Sequence, residues 1–298
     1  MNVFFVSLFS VIIFAENDAL VSMLWVNAML QLSLFLLVAC IPFIKTKRVS
    51  YVDIAWPFGV ALIGAQILLL SDIDFTRKLV VGAVYLFIGL RMGIGALVMA
   101  KNTGVIFKTE FPRYQYRRML LSQSGSKHIE LHLLAEIMAQ GLANMTVLAL
   151  PGLLIATHGG EHISGLEILG ICIWGLAFLF ESTADAQKHL FMSKNKGQVC
   201  NVGLWKYSRH PNYFAEWLVW SGLVMAAIPS WLSFYERETL FIWGSLGLGM
   251  LCASVMMYIT LVYLTGAKPA EYYSVQKRKA YRAYQEKTNM FFPWFPKS

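Results

Sequence analysis

The amino-acid sequence predicts an all-α membrane protein, a polytopic bundle of seven transmembrane helices with the N-terminus outside and the C-terminus in the cytoplasm. Hydrophobic residues make up 57% of the 298 residues, and the mean hydropathy is +0.55. Only 14% of the residues are charged, whereas a soluble domain usually carries about 25%. Apolar runs of membrane-spanning length recur along the chain, which indicates a membrane bundle instead of a large soluble core.

Seven apolar runs are each about 17 to 25 residues long, the length that crosses a bilayer as a helix. They cover residues 20–44, 54–70, 79–100, 133–156, 165–190, 213–230 and 240–265, and they define a predicted transmembrane domain at 20–265. The N-terminal segment, residues 1–19, contains an apolar run of about 13 residues, which is short for a span. We expect this segment to be embedded in the membrane or to lie on its surface, and an eighth span is the alternative.

The positions of lysine and arginine predict the orientation. With seven spans, 21 of the 25 Lys and Arg residues fall on one side and three on the other, and Arg91 lies inside the third run. The positive-inside rule therefore places loops 101–131 and 191–211 and the tail 266–298 in the cytoplasm. A multi-pass integral membrane protein is expected. The net charge of +8 favours membrane lipid or an anionic cofactor as partner, and no nucleic acid is expected.

Ionisable residues in or beside the predicted spans gather at their cytoplasmic ends. An intramembrane charge costs about 2.5 to 3.5 kcal/mol on insertion scales, so such groups usually face a polar cavity. These residues are Asp53, Arg91, Glu136, Glu181, Asp185 and Glu216. We therefore expect a polar site open to the cytoplasm. Interfacial or helix-capping roles are the alternative, above all for Glu136.

The densest polar stretch is at residues 209–216, where Arg209, His210, Asn212, Tyr213 and Glu216 open an apolar helix. On the preceding helix, Glu181 and Asp185 are separated by four residues and therefore share one face, and Lys188 is placed to pair with Asp185. Cations suit phosphate, and carboxylates accept hydrogen bonds from hydroxyl or amide groups. The pattern thus favours a ligand with phosphates, ribose hydroxyls and a carboxamide.

No metal site is expected. The four cysteines, at positions 40, 172, 200 and 252, show no CxxC spacing, and the chain contains no HExxH motif. Neither a zinc site nor a disulfide framework is therefore indicated.

Several segments resemble the steroid 5-alpha-reductase superfamily, most closely its bacterial membrane branch of 3-oxo-5-alpha-steroid 4-dehydrogenase-like proteins. The matching segments are 181–185 (ESTAD), 201–205 (NVGLW), 208–213 (SRHPNY) with Glu216, 281–288 (YRAYQEKT) and 110–114 (EFPRY) with Arg117. The resemblance extends over residues 45–296 and is most specific at 181–216.

The resemblance implies a seven-span membrane reductase that uses NADPH to reduce a carbon–carbon double bond conjugated to a ketone. The expected substrate is a hydrophobic enone from the bilayer, such as a 3-oxo-4-ene steroid. The tail 266–298 is expected to complete the cofactor site, with an interfacial amphipathic helix as the alternative. The predicted cofactor-binding residues are Arg91, Arg113, Arg117, Glu181, Asp185, Lys188, Asn201, Trp205, Arg209, His210, Asn212, Tyr213, Glu216 and Tyr281.

The predicted catalytic residues lie in the second and third spans. Asp53 occupies the position of a family glutamate, next to Val52 where the family has glutamine. A neutral acid beside the ketone would stabilise the enolate that forms on hydride transfer, and Asp53 in an apolar setting could supply it. Tyr85 or Tyr51 would be the second donor, and Trp56 is expected to contact the substrate.

Two other functions are weighed against this reductase. The isoprenylcysteine carboxyl methyltransferases share the Arg-His-Pro-x-Tyr element but bind S-adenosylmethionine, and a lipid- or sterol-binding protein would need no chemistry. Glu181 with Asp185, and Asn212 with Glu216, favour the reductase over both.

Overall fold

The structure is a computed structural model that describes residues 14–158, 160 and 162–297. Within these ranges the chain is helical, and its only bridge of β type joins Val105 and Thr109. The predicted all-α class is confirmed. Most of the N-terminal segment 1–19 lies outside the described residues, so its predicted placement at the membrane stays a prediction.

Seven helical stretches of the described chain are long and apolar enough to cross a membrane, as predicted. Most of the connections between them are short, but residues 104–128 and 195–210 form longer ones. In chain order they are α1 (Asp18–Thr46), α2 (Val49–Leu70), α3 (Phe75–Thr103), the pair α5 and α6 (Ile129–Ala156), α7 (Gly165–Lys194), α8 (Pro211–Ser233) and α9 with α10 (Leu240–Lys277). Within the two pairs, α5 is Ile129–Met145, α6 is Leu150–Ala156, α9 is Leu240–Ile259 and α10 is Ala267–Lys277.

Two further helices lie outside the spans. Helix α4 (Pro112–Gln123) occupies much of segment 101–131, which we predicted to be a loop. Pro112 at its first turn suits helix initiation because the missing N–H has no partner to lose there. Helix α11 (Tyr281–Lys287) lies in the tail, and a 3-10 turn (Gly203–Lys206) lies in the loop before α8.

The chain divides into two compact units. Unit 1 comprises Met1–Glu167 and Ala226–Cys252, and unit 2 comprises Ile168–Met225 and Ala253–Ser298. The predicted catalytic residues belong to unit 1, whereas those of the 181–216 stretch belong to unit 2.

In unit 1, helices α2 and α3 pack closely through small residues. A Cβ added at Gly89 of α3 would lie 2.5 Å from the Pro57 carbonyl oxygen of α2. Only glycine allows this approach, a common basis of helix association in membranes.

Buried polar side chains support the break between α5 and α6 in unit 1. Interrupted helices in a membrane need partners for their freed backbone groups. The amide of Asn27 donates to the carbonyl oxygens of Asn144 (3.3 Å) and Met145 (2.9 Å). The hydroxyl of Tyr85 donates to the Leu148 carbonyl at 2.8 Å.

This contact corrects the prediction for Tyr85. Its side chain is fully buried, and its oxygen also accepts a bond from the Gly152 N–H at 3.0 Å. The hydroxyl proton is already donated to the backbone of the broken helix. Tyr85 is therefore a structural residue of the α5–α6 break and not an available donor to a ketone.

In unit 2, α7 and α8 pack closely at Gly222. A Cβ added there would lie 2.8 Å from the Gly170 carbonyl oxygen. The tail packs on α8 and α9 through Phe291, whose ring centroid lies 6.1 Å from that of Trp217 and 5.1 Å from that of Tyr258. These aromatic contacts attach the end of the tail to the helices of its unit.

Candidate functional site

The predicted pairing between α7 and α8 is present in unit 2. The amide of Asn212 donates to an Asp185 carboxylate oxygen at 3.1 Å. Asn212 lies in the first turn of α8, which Pro211 begins, and Asp185 lies near the end of α7. Asp185 is exposed, so the pair presents polar groups that can contact a ligand.

Two buried carboxylates flank this pair. Glu181 lies one turn before Asp185, and Glu216 lies one turn after Asn212. The indole N–H of Trp220 donates to Glu216 at 3.2 Å. A buried carboxylate is costly unless hydrogen-bond donors contact it. Hydroxyl or amide groups of a ligand are donors of this kind.

His210 and Tyr213 form a stacked pair at the same end of α8. Their ring centroids are 5.2 Å apart and the rings are nearly parallel, at 3°. Burial lowers the pKa of His210 below its ordinary value, while the Glu271 carboxylate, 3.1 Å from its Nε2, acts in the opposite direction. The effect of burial is the larger of the two, so the imidazole of His210 is neutral at neutral pH.

Trp205 and Lys188 lie together, in an arrangement that differs from the predicted Lys188–Asp185 pair. The ammonium of Lys188 lies 4.1 Å from the centroid of the Trp205 ring, a cation–π geometry. The indole N–H of Trp205 donates to the Ala184 carbonyl at 2.8 Å. Trp205 is buried and therefore orders the loop against α7.

Arg209, predicted to bind the cofactor, is held by the tail. Its guanidinium donates to both carboxylate oxygens of Glu271, at 2.6 and 3.1 Å. It also donates to the carbonyl oxygens of Gln285 (2.8 Å) and Thr288 (2.5 Å). The cation is neutralised by Glu271, and four of its five N–H groups donate to these partners within the protein.

The tail is fastened to loop 201–210 by further bonds. The Tyr284 hydroxyl donates to the carbonyl of Trp205, and Ser208 donates to the Phe291 carbonyl at 2.9 Å. Tyr281 is buried beside Tyr284, their ring centroids 5.7 Å apart. Burial raises the pKa of both tyrosines above the ordinary value, which keeps them protonated.

A small cavity of about 50 Å³ lies beneath these contacts. Lys188, Trp205, Arg209, His210 and Tyr281, all predicted cofactor residues, line it. The structure thus brings these five together within unit 2.

A larger groove of about 730 Å³ opens in the same unit between loop 197–206 and the tail. Its four cations are Lys206, Arg278, Lys279 and Lys287, and no Asp or Glu lines it. Of the predicted cofactor residues, exposed Asn201 lines it. Its volume lies in the usual range of ligand sites, about 300 to 1,000 Å³.

The four groove cations and Glu271 were missed by sequence reasoning. The cations counted only toward the topology, although the run Lys277-Arg-Lys279 was visible. Glu271 was one of only two acidic residues in the basic tail, the other being Glu286. An acidic residue in so basic a segment could have been predicted to form an ion pair.

In unit 1, Asp53 lies in the first turn of α2 and is paired with α4. Arg113 forms an ion pair with its Oδ1, and the Tyr114 hydroxyl donates to the same atom at 3.2 Å. Asp53 Oδ2 is buried without a hydrogen-bond partner. The carboxyl therefore has a cation partner, which differs from the isolated apolar setting that we expected.

Two predicted cofactor residues of α4 have carboxylate partners within unit 1. Arg113 is engaged by Asp53, and Arg117 donates to Glu136 at 2.8 and 2.5 Å. The bonds to Glu136 raise the pKa of Arg117. Both arginines hold α4 within unit 1.

The remaining predicted residues of unit 1 are half-buried. The Tyr51 hydroxyl accepts from Arg48 at 3.0 Å, and the Trp56 carbonyl accepts from Asn144 at 2.8 Å. Arg91 lies in the middle part of α3. Their predicted roles stay predictions.

Residues 41–288 match the profile of the family described as Protein of unknown function (DUF1295). The chain belongs to the DUF1295 family. This family is associated with steroid 5-alpha-reductase-like proteins. No curated protein and no solved structure matches the chain.

The DUF1295 match contains the groups described above in both units, from Asp53 to Lys287. Within the described residues, no cluster of three or more His, Cys, Asp or Glu side chains could hold a metal ion.

Proposed function

We propose that this protein is a membrane-embedded, NADPH-dependent reductase of the carbon–carbon double bond of a hydrophobic enone, such as a 3-oxo-4-ene steroid. The observation that carries the proposal is the acid-free basic groove in the unit that also holds the Asp185–Asn212 pair. The resemblance of segments 181–216 to the reductase superfamily supports the reaction type.

The groove supports a ligand with several phosphates. Lysine and arginine form charge-assisted hydrogen bonds with phosphate oxygens, and four cations without an acidic neighbour attract a polyanion. NADPH carries a pyrophosphate and a 2′-phosphate. S-adenosylmethionine carries a sulfonium cation and no phosphate, so the groove suits it poorly.

The α7–α8 pair supports recognition of the uncharged parts of the cofactor. The Asp185 carboxylate can accept from a ribose hydroxyl, and the Asn212 amide can contact a carboxamide. Glu181 and Glu216 are further acceptors at the same helix ends.

The proposed chemistry needs a group that stabilises negative charge on the ketone oxygen. Bound NADPH would supply the hydride for the β carbon of the enone, and solvent would supply the proton that the α carbon takes up. Asp53 is the residue proposed to act at the ketone in its protonated form, and the adjacent Arg113 guanidinium adds positive charge where enolate develops. Fixed donors and charges of this kind are the largest contributors to many enzymatic rates.

Binding and turnover of the purified protein test the proposal. We expect NADPH to bind with an affinity at least about tenfold above that of S-adenosylmethionine, and NADPH to be consumed with 3-oxo-4-ene steroids or linear enones. Saturated ketones of the same size are the control. If the protein binds S-adenosylmethionine but not NADPH, the reductase proposal is contradicted and the methyltransferase is favoured. NADPH binding without consumption across the panel would contradict the enone substrate.

A further inference from the structure

Glu271 of α10 is the centre of a hydrogen-bond network that joins three segments of unit 2. Its Oε1 accepts from Arg209 Nε at 2.6 Å and faces His210 Nε2 at 3.1 Å. Its Oε2 accepts from Gln285 Nε2 at 2.6 Å and from Arg209 at 3.1 Å. The side chain is only 10% exposed, so one buried carboxylate connects the loop before α8, helix α10 and helix α11.

The network fixes the segments that carry the groove cations. Arg209 bonds to the carbonyl oxygens of Gln285 and Thr288, at the end of α11 where Lys287 lies. Arg278 and Lys279 lie between α10, which carries Glu271, and α11, which carries Gln285. Lys206 precedes Arg209 by three residues. Each groove cation is therefore close in sequence to a partner of Glu271.

Glu271 itself does not line the groove. Four cations around one opening repel each other, because like charges at short range are unfavourable. A carboxylate that neutralises Arg209 behind the wall of the groove allows the cations to stay together without occupying the anion site. Both oxygens of Glu271 are already engaged, so direct contact with a ligand is not its role.

We infer that Glu271 is a positioning residue, which holds the tail against loop 201–210 so that Lys206, Arg278, Lys279 and Lys287 form one phosphate-binding groove. The identity of the phosphate ligand rests on the proposed function, but the positioning role does not. Breaking a buried ion pair leaves an uncompensated charge and is strongly unfavourable, so the tail should detach locally when the Glu271 charge is removed.

The chain offers a matched control and a native reporter. Glu286 is the other acidic residue of the tail, and it is exposed. Glu286→Gln therefore makes the same change of charge as Glu271→Gln without breaking the network. Cys200 is buried and lines the small cavity together with Arg209 and Tyr284, so its thiol becomes reactive when the tail detaches.

The experiment measures two quantities in a Cys172→Ala background, because Cys172 is exposed. They are the rate of Cys200 modification by a polar maleimide and the Kd for inorganic pyrophosphate and for NADPH. For Glu271→Gln we expect the modification rate and both Kd values to rise at least about tenfold. For Glu286→Gln we expect changes within about twofold. Glu271→Asp should recover part of both losses because it keeps the charge.

Unchanged Cys200 modification in Glu271→Gln would overturn the positioning role. Faster Cys200 modification in Glu271→Gln with an unchanged Kd for pyrophosphate would also overturn it. So would wild-type protein that binds no pyrophosphate. Wild-type protein that binds pyrophosphate but not NADPH would contradict the proposed function alone, and the effect of Glu271 would then be decided on pyrophosphate. If Glu271→Gln does not fold, Glu271→Asp supplies a weaker comparison, because its shorter side chain cannot reach all of the partners of Glu271 at once. The modification rate and both Kd values should then rise by less than about tenfold, and unchanged values would overturn the positioning role.

Discussion

At the scale of single residues, the Asp185–Asn212 bond joins two helices at the end where a ligand can reach them. We expect Asp185→Ala and Glu216→Ala each to weaken NADPH binding about tenfold or more, because hydrogen bonds to charged groups contribute about 1.5 to 3 kcal/mol. Isothermal titration of the purified variants measures this. Thr183→Ala, an exposed neighbour on α7 whose hydroxyl bonds only its own helix, is the control. Unchanged Kd values for NADPH in both variants would exclude Asp185 and Glu216 from the cofactor site.

Asp53 is the residue at which binding and turnover should separate. Asp53→Asn keeps the size of the side chain but removes the carboxyl group that pairs with Arg113 and would hold the acidic proton. We expect kcat with an enone to fall by about a hundredfold, the lower limit for loss of an acid–base group, while the Kd for NADPH changes little. Exposed Asp72→Asn is the control for charge. Normal turnover in Asp53→Asn would exclude Asp53 from the reaction.

Sequence reasoning located residues whose partners lie one turn away and misjudged those with distant partners. Glu181 and Asp185 follow helical spacing, and Asn212 was expected opposite them, so this part of the site was predictable. Arg209 was predicted to bind the cofactor, and its ion pair with Glu271 was not foreseen, because Glu271 lies 62 residues further along the chain. No local pattern announces a pairing over that separation.

At the scale of elements, the tail is a packed part of unit 2. Phe291 contacts Trp217 and Tyr258, and Trp294 N–H donates to the Tyr207 carbonyl at 2.9 Å. That the tail completes the cofactor site stays a prediction. An anchoring role for the exposed Trp294 ring at the membrane interface is compatible with these contacts.

The groove cations provide a test of the tail as a phosphate site. We expect the double variant Lys279→Gln and Lys287→Gln to weaken NADPH binding about tenfold, since each lost phosphate contact at an exposed site costs about 0.5 to 1 kcal/mol. The difference in NADPH affinity between wild type and the double variant should decrease as ionic strength rises, because salt screens exposed charges. Lys277→Gln, in the same tail but outside the groove lining, is the control. A Kd equal to that of wild type at low salt would argue against phosphate binding there.

The break between α5 and α6 depends on side chains from neighbouring helices. Tyr85→Phe leaves the Leu148 carbonyl and the Gly152 N–H without this partner. We expect a loss of stability of about 0.6 to 1.7 kcal/mol, the usual range for side-chain hydrogen bonds between membrane helices, with kcat unchanged. Thermal unfolding in detergent and turnover per folded molecule measure the two effects. A large loss of kcat without loss of stability would restore Tyr85 to the catalytic residues.

At the scale of the whole molecule, charge predicts orientation, and Arg77, one of three cations on the predicted outer side, is neutralised within the protein. Arg77 is buried in unit 1 and pairs with Glu167 at 2.8 Å, and it also donates to the His162 carbonyl at 2.7 Å. Because Glu167 neutralises it, Arg77 adds little positive charge to the predicted outer side. The 21-to-3 distribution of Lys and Arg therefore keeps its weight as a predictor of topology.

Cysteine labelling in intact cells tests this orientation. In a Cys172→Ala background, Asp72→Cys, between α2 and α3, should react with a membrane-impermeant maleimide from outside. Lys277→Cys, at the end of α10, should react only after the membrane is permeabilised. Both positions are exposed, so accessibility within the protein does not limit the reaction. The opposite pattern would reverse the topology and place the groove outside.

The sequence by itself determined the helical class, the seven spans and the polar ends of α7 and α8, because hydropathy, charge and helical spacing are local properties of the chain. Tertiary structure alone decided which polar groups neutralise each other. Arg113 meets Asp53 across 60 residues, Arg209 meets Glu271 across 62, and the Tyr85 hydroxyl meets the Leu148 carbonyl across 63. A buried charge or hydroxyl takes whichever partner the packing brings near. Tyr85, Arg117 and Arg209, which the sequence placed in catalysis or cofactor binding, have partners within the protein that no local pattern indicated. The basic groove became visible only when the tail was in place.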